Sequence, residues 1–197
     1  MNIPLTKRDL LEQIARETAK LSYPGRMSVR AGTKKDLEDF FATEFPMSEL
    51  RDNAIGVASS YDNWHSQRVT AIGEFLERKS HLRNPHNDKS IVVAAKFLDT
   101  FMHQLMKYEW ARPLWKQLHL PLDSIVLTAF RGMRSEESPA AAKIKSCVGT
   151  RTAYSISYKE YQYVQDTLWE FVEELNGRPG VEFQVQSRIE LNYLWLQ

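Results

Sequence analysis

Between Lys89 and Lys107 the chain carries an apolar surface too broad for a helix lying against solvent. Ile91, Val92, Ala95, Leu98, Met102, Leu105 and Met106 recur at helical spacing, and Phe97 and Phe101 widen the stripe. Such a face has to be covered on several sides, so the segment predicts a central, buried helix, with Asp88 as its N-cap. Lys96 lies inside it. An aromatic-rich connection with Trp110, Leu114 and Trp115 comes next, predicting another short helix, and then His119-Leu120-Pro121-Leu122-Asp123-Ser124. Proline favours a first helical turn, and Asp or Ser there accepts orphan backbone N–H groups. A second apolar helix with Leu122, Ile125, Val126, Ala129 and Phe130 is therefore expected, with Asp123 at its mouth on rigid backbone.

The remaining segments repeat the helical period. Leu10, Leu11, Ile14 and Leu21 share a face behind Thr6 as N-cap, and Thr33 with Asp36 predicts a capped helix carrying Leu37, Phe40 and Phe41. Residues 47–60 read as one short helix and a turn near Gly56. Tyr61, Trp64, Ile72, Phe75 and Leu76 mark a helix over 60–79, followed by the polar loop SHLRNPHND. Ser138-Pro139 starts a shorter helix, and 158–176 is strongly amphipathic up to Gly177. Val181 to Val185 alternates, predicting at most a short strand. Ser187 with Glu190 has the pattern of a capping box for a last helix. The expected fold is mainly α, a single compact helical domain with core elements at 60–131 and 158–196.

Composition narrows the function classes. At 197 residues, with 43% hydrophobic and 26% charged, the chain suits one globular domain with a real core. It has no apolar run near the ~20 residues of a membrane span and no signal-peptide core, so a cytosolic protein is expected. Cys147 is the single cysteine, which excludes an intrachain disulfide and a cysteine-rich zinc site. The histidines lack metal-ligand spacing, so neither a metal nor a cofactor is expected. The net charge of +1 does not advertise nucleic-acid binding. A local basic run of Arg131, Arg134, Lys143, Lys145 and Arg151, with Arg83 in the polar loop, is however placed to contact phosphates.

The segments Ala95-Lys96-Phe97-Leu98-Asp99 and Leu120-Pro121-Leu122-Asp123-Ser124-Ile125-Val126-Leu127 resemble the core of helix-hairpin-helix DNA glycosylases. In that superfamily, which includes the oxidised-guanine glycosylases, a lysine-bearing apolar helix precedes a valine-proline-valine-aspartate helix start. Asn192-Tyr193-Leu194-Trp195 also looks like an ending found in some members. The resemblance covers about forty residues well. It implies Asp123 as the essential carboxylate, Lys96 as the amine nucleophile with Lys89 second, and duplex DNA with a flipped base as partner, the protein acting as a monomer. The sequence departs from the family at Asn84-Pro85-His86-Asn87-Asp88, where the hairpin glycines are missing. Lys96 also lies two turns inside its helix, whereas Lys89 stands at the start.

The chemistry accounts for these residue types. Breaking an N-glycosidic bond builds positive charge on the sugar, which a carboxylate stabilises. A desolvated lysine attacks the sugar carbon to form a Schiff base; in a monofunctional enzyme water attacks that carbon and hydrolyses the bond. The base must leave the stack, so Trp64, Tyr61, Trp110 and Trp115 are candidate pocket walls, with His65 and His119 as contacts to base or phosphate. A bulky cytosine modification of phage DNA is one candidate substrate, which would make this a defence enzyme. The alternative is a non-enzymatic helical module binding nucleic acid or protein.

Overall fold

A computed structural model describes residues 6–22, 29–82, 89–134, 136, 138–179 and 184–191. Its centre is the broad apolar helix. α6 (Lys89–Leu105) buries nearly every residue from Ser90 to Asp99, then Phe101, Met102 and Leu105. α1 (Lys7–Ser22), α5 (Tyr61–Arg78) and α9 (Tyr158–Asn176) pack on it, as does a short 3-10 turn at Ala153–Ser155. One apolar cluster runs from Leu11 to Leu191 through all of these, so the mainly α architecture has one core. Phe101 stacks on Phe41 of α2 (Thr33–Thr43) with centroids 4.0 Å apart, tying α2 to the centre.

Around this core the chain turns on short caps. α3 (Met47–Asp52) and α4 (Ala54–Ser59) replace the single helix expected there. Residues 109–117 wind as 3-10 helix, not α-helix, with Pro113 inside, a residue that has no N–H to donate to an α-helical ladder. α7 (Ser124–Gly132) starts three residues after Pro121, behind Asp123. α8 (Pro139–Val148) has Ser138 as N-cap and Pro139 in its first turn, as expected. It ends at Gly149, whose φ of 53° lies where glycine carries no Cβ penalty.

Several sequence expectations are corrected. Thr6 does cap α1, its hydroxyl accepting from Asp9 N while Asp9 accepts from Thr6 N. Thr33, by contrast, lies inside α2 and donates its hydroxyl to Arg30 O, leaving Gly32 at the cap with φ 90°. Residues 181–183 lie outside the described residues, and 184–186 form no strand. The backbone of Val185 bonds instead to the Asn176 amide, whose two ends are each satisfied at 2.8 Å. The Ser187–Glu190 box does not form in its usual pattern: Glu190 accepts from Gln186 N, and the buried Ser187 hydroxyl has no partner among the described residues. The chain then winds into a 3-10 turn at Arg188–Leu191. The cap assigned to Asp88 and the 192–195 ending lie outside the described residues. Among the described residues the only extended pairing is a bridge between Val29 and Leu82.

Candidate functional site

Asp123 stands where the sequence placed it. Its Oδ1 accepts from Ile125 N at 2.8 Å and Val126 N at 3.0 Å, the N-cap geometry that satisfies two of the orphan donors of α7. The cap uses one oxygen. The other, Oδ2, lies 4.0 Å from Lys96 Nζ. Lys96 is thus not a side chain reaching away to solvent: it is buried, 9% exposed, and donates to the Tyr154 hydroxyl at 3.2 Å. Burial lowers its pKa, against the opposing pull of Asp123 and Asp99. Burial likewise raises Tyr154, with Asp123 adding to the effect, so the phenol stays protonated. The result is a partly desolvated amine, a phenol and a half-exposed carboxylate brought together from α6, residues 153–155 and the α7 cap.

Loop geometry holds the two halves together. Leu120, three residues before Asp123, has both backbone groups clamped by the Gln165 amide, N to Oε1 at 3.0 Å and O to Nε2 at 2.7 Å. Arg131 donates to the carbonyls of Gly149 and Arg151, bracing the loop that carries Tyr154. Arg151 pairs with Glu160, whose pKa falls to about 2 through that arginine and the Ser157 backbone. Both arginines therefore hold protein as well as offering charge. Lys143, which pairs with Glu170, is exposed, as are Lys145 and Arg134. Arg83 and the side chain of Lys89 lie outside the described residues. Ile125, expected in the core, is instead 53% exposed beside Asp123.

The aromatic candidates do not join this pair as open walls. Tyr61, Trp64, His65 and His119 are buried, at 3%, 6%, 0% and 4% exposure. His65 and His119 belong to a second polar cluster, and Tyr61 packs against both their rings. Asp99, one turn along α6 from Lys96, accepts from His65 Nε2 at 2.8 Å and from the Tyr161 hydroxyl at 2.6 Å. His119 lies 3.2 Å from that hydroxyl through Nδ1 and 2.9 Å from Asp62 Oδ1 through Nε2. Trp115 donates to Glu190 at 2.9 Å, and Trp110 stacks on Tyr108, both partly buried. Asp99 was missed by sequence reasoning although its signal was visible, a carboxylate on the buried face of an apolar helix. Tyr154 and Tyr161 had no such signal. A separate groove of about 450 Å³ runs between α1 and the α2–α3 junction, lined by Lys7, Leu11, Phe45 and Pro46, with no part of the lysine–aspartate pair.

Fold and site together define an α-helical protein with a buried lysine beside a helix-capping aspartate. No protein-family model, curated protein or solved structure matches the chain. No helix among the described residues is long and apolar enough to cross a membrane.

Proposed function

We propose that the chain is a DNA glycosylase of the helix-hairpin-helix kind, cutting the bond between a damaged or modified base and deoxyribose. One observation carries this reading: Lys96 Nζ and Asp123 Oδ2 meet at 4.0 Å although 27 residues separate them (123 − 96). These are the two residues that the sequence resemblance singled out. The desolvated amine supports a nucleophilic role, because only the unprotonated form carries a lone pair to donate.

In this reading Nζ bonds to C1′ as the C1′–N bond breaks, and the base departs with that electron pair and takes up a proton. The carboxylate of Asp123 offsets positive charge on the sugar, then passes the Nζ proton to O4′ as the C1′–O4′ bond breaks and the amine adduct becomes an imine. Tyr154 holds Nζ in place. Arg134 and Lys145 supply exposed positive charge for the phosphates, and Ile125 offers an apolar contact beside the site.

The test is base release from duplexes carrying oxidised, alkylated, deaminated and hypermodified bases, the last including bulky cytosines, with freed bases read by mass spectrometry. Release of one base, borohydride trapping of the protein on DNA, and loss of trapping in Lys96→Gln are the expected results. Release without trapping makes water the nucleophile. Binding without release from any substrate overturns the enzyme reading in favour of a nucleic-acid-binding module.

A further inference from the structure

The cluster beneath the lysine is short of one proton. Four contacts connect it: His65–Asp99, Tyr161–Asp99, His119–Tyr161 and His119–Asp62. Two carboxylates supply no proton, the phenol supplies one and each neutral imidazole one, which makes three for four contacts. Asp99 takes the Tyr161 proton at 2.6 Å, and Asp62 takes that of His119. His119 Nδ1 therefore faces the Tyr161 oxygen at 3.2 Å lone pair to lone pair. His65 Nδ1 is also buried with no partner among the described residues. Asp99 has no lysine or arginine ion pair among the described residues.

We propose that His65, Asp99 and His119 form a binding site for a divalent transition-metal cation of the zinc type. Each offers one donor atom, His65 through Nε2 once its proton sits on Nδ1, and the three lie within 4.8 Å of one another. A cation with bonds of about 2.0–2.2 Å sets its donors about 3–3.5 Å apart, so the observed spacing, down to 2.8 Å for His65–Asp99, brackets what coordination requires. The surroundings are already those of a coordinated histidine. Asp62 accepts from His119 Nε2, fixing the tautomer that presents Nδ1 inward, and Tyr161 ties down the second oxygen of Asp99.

The buried guanidinium of Arg188, anchored on the carbonyls of Gln165 and Gln117, faces the cluster and opposes a bare positive charge. The site thus favours a cation bound through coordinate bonds to imidazole over a hard cation such as Mg²⁺. Its donors come from α5, α6 and the segment before α7, so the bound cation acts as a structural clamp on which the Asp123 cap rests. Asp62, whose side chain is 73% exposed, marks the edge where the cluster reaches solvent.

The experiment uses the full chain after chelator dialysis, titrated with Co²⁺ alone and followed by its visible absorption, then with Zn²⁺ by thermal unfolding. One Co²⁺ per chain is expected. At Zn²⁺ a hundredfold above Kd, the Tm should rise by about 5–10 °C. His119→Gln should abolish both signals, with His103→Gln as a control that keeps them. Asp62→Asn alters an exposed side chain that leaves the packing intact, and should weaken affinity by about 10–100-fold. Absence of stoichiometric Co²⁺ binding, or binding unchanged in both Asp62→Asn and His119→Gln, overturns the proposal. Neither result depends on DNA or base release.

Discussion

Gln165 is the residue whose loss the structure makes most measurable. Its side chain is 1% exposed, and its amide satisfies both the N–H and the C=O of Leu120, which is itself fully buried. Replacing it with methionine keeps the length and removes both bonds. A buried backbone group left without a partner costs about 1–3 kcal/mol, so the two together cost about 2–6 kcal/mol before relaxation. The added apolar contact of the methionine returns about 1 kcal/mol of this. The expected loss is therefore about 1–5 kcal/mol, a large share of the ~5–15 kcal/mol that holds a domain together.

For a chain of this length that corresponds to a fall in Tm of about 2–20 °C. Urea unfolding followed by helical circular dichroism measures it, and the midpoint should drop with the slope unchanged. Gln165→Glu sharpens the test. Its ionised carboxylate can accept from Leu120 N but faces Leu120 O with a second acceptor, so it should be destabilising at pH 7. Protonation supplies the missing donor, so stability relative to the parent should recover as pH falls. A methionine variant within about 1 kcal/mol of the parent would refute the clamp, because it would mean that water or a shifted backbone satisfies Leu120 at little cost.

Asp123→Asn keeps the acceptor that caps α7 and should move stability by only a few tenths of a kcal/mol, and under the proposed glycosylase function it should abolish base release. Asp123→Ala should cost about 0.5–2 kcal/mol in a melting experiment, and equal stability of the two variants would deny the cap its role. Phe101→Ala, which removes a fully buried ring stacked on Phe41, should cost about 3–5 kcal/mol by urea titration. Glu160 has a folded pKa of about 2, below its unfolded value of about 4.5, so it stabilises above pH 4.5 and that stability is lost as pH falls from there through 2. Solvent screening around the partly exposed Arg151 pair cuts this to about 1 kcal/mol, and Glu160→Gln should flatten the acid limb by that amount. A limb of unchanged steepness would assign the acid sensitivity elsewhere.

The helices, and which of them is central, could be read from the residues alone. Helical periodicity and capping are local, fixed within a few residues by sterics and by orphan backbone groups, so α6, the Asp123 cap and the Ser138-Pro139 start were legible before any contact was known. The same locality misled where two local solutions competed. Thr33 has the residues of a cap, yet Gly32 takes that position with a φ that glycine adopts without strain. Val181 to Val185 has the alternation of a strand, but 184–186 form none, and Val185 satisfies its backbone on Asn176.

Which side chains meet was settled by the packing of the helices. It brought Lys96 to Asp123 and added Tyr154, a residue with no local signal. It also put Tyr61 and Trp64, expected as pocket walls, and His65 and His119, expected as contacts to base or phosphate, into the core. Periodicity says that a residue faces inward, but a buried polar group is tolerated only where partners from other helices complete its hydrogen bonds. Those partners are set by how α5, α6 and α9 cross, which no single stretch of sequence specifies.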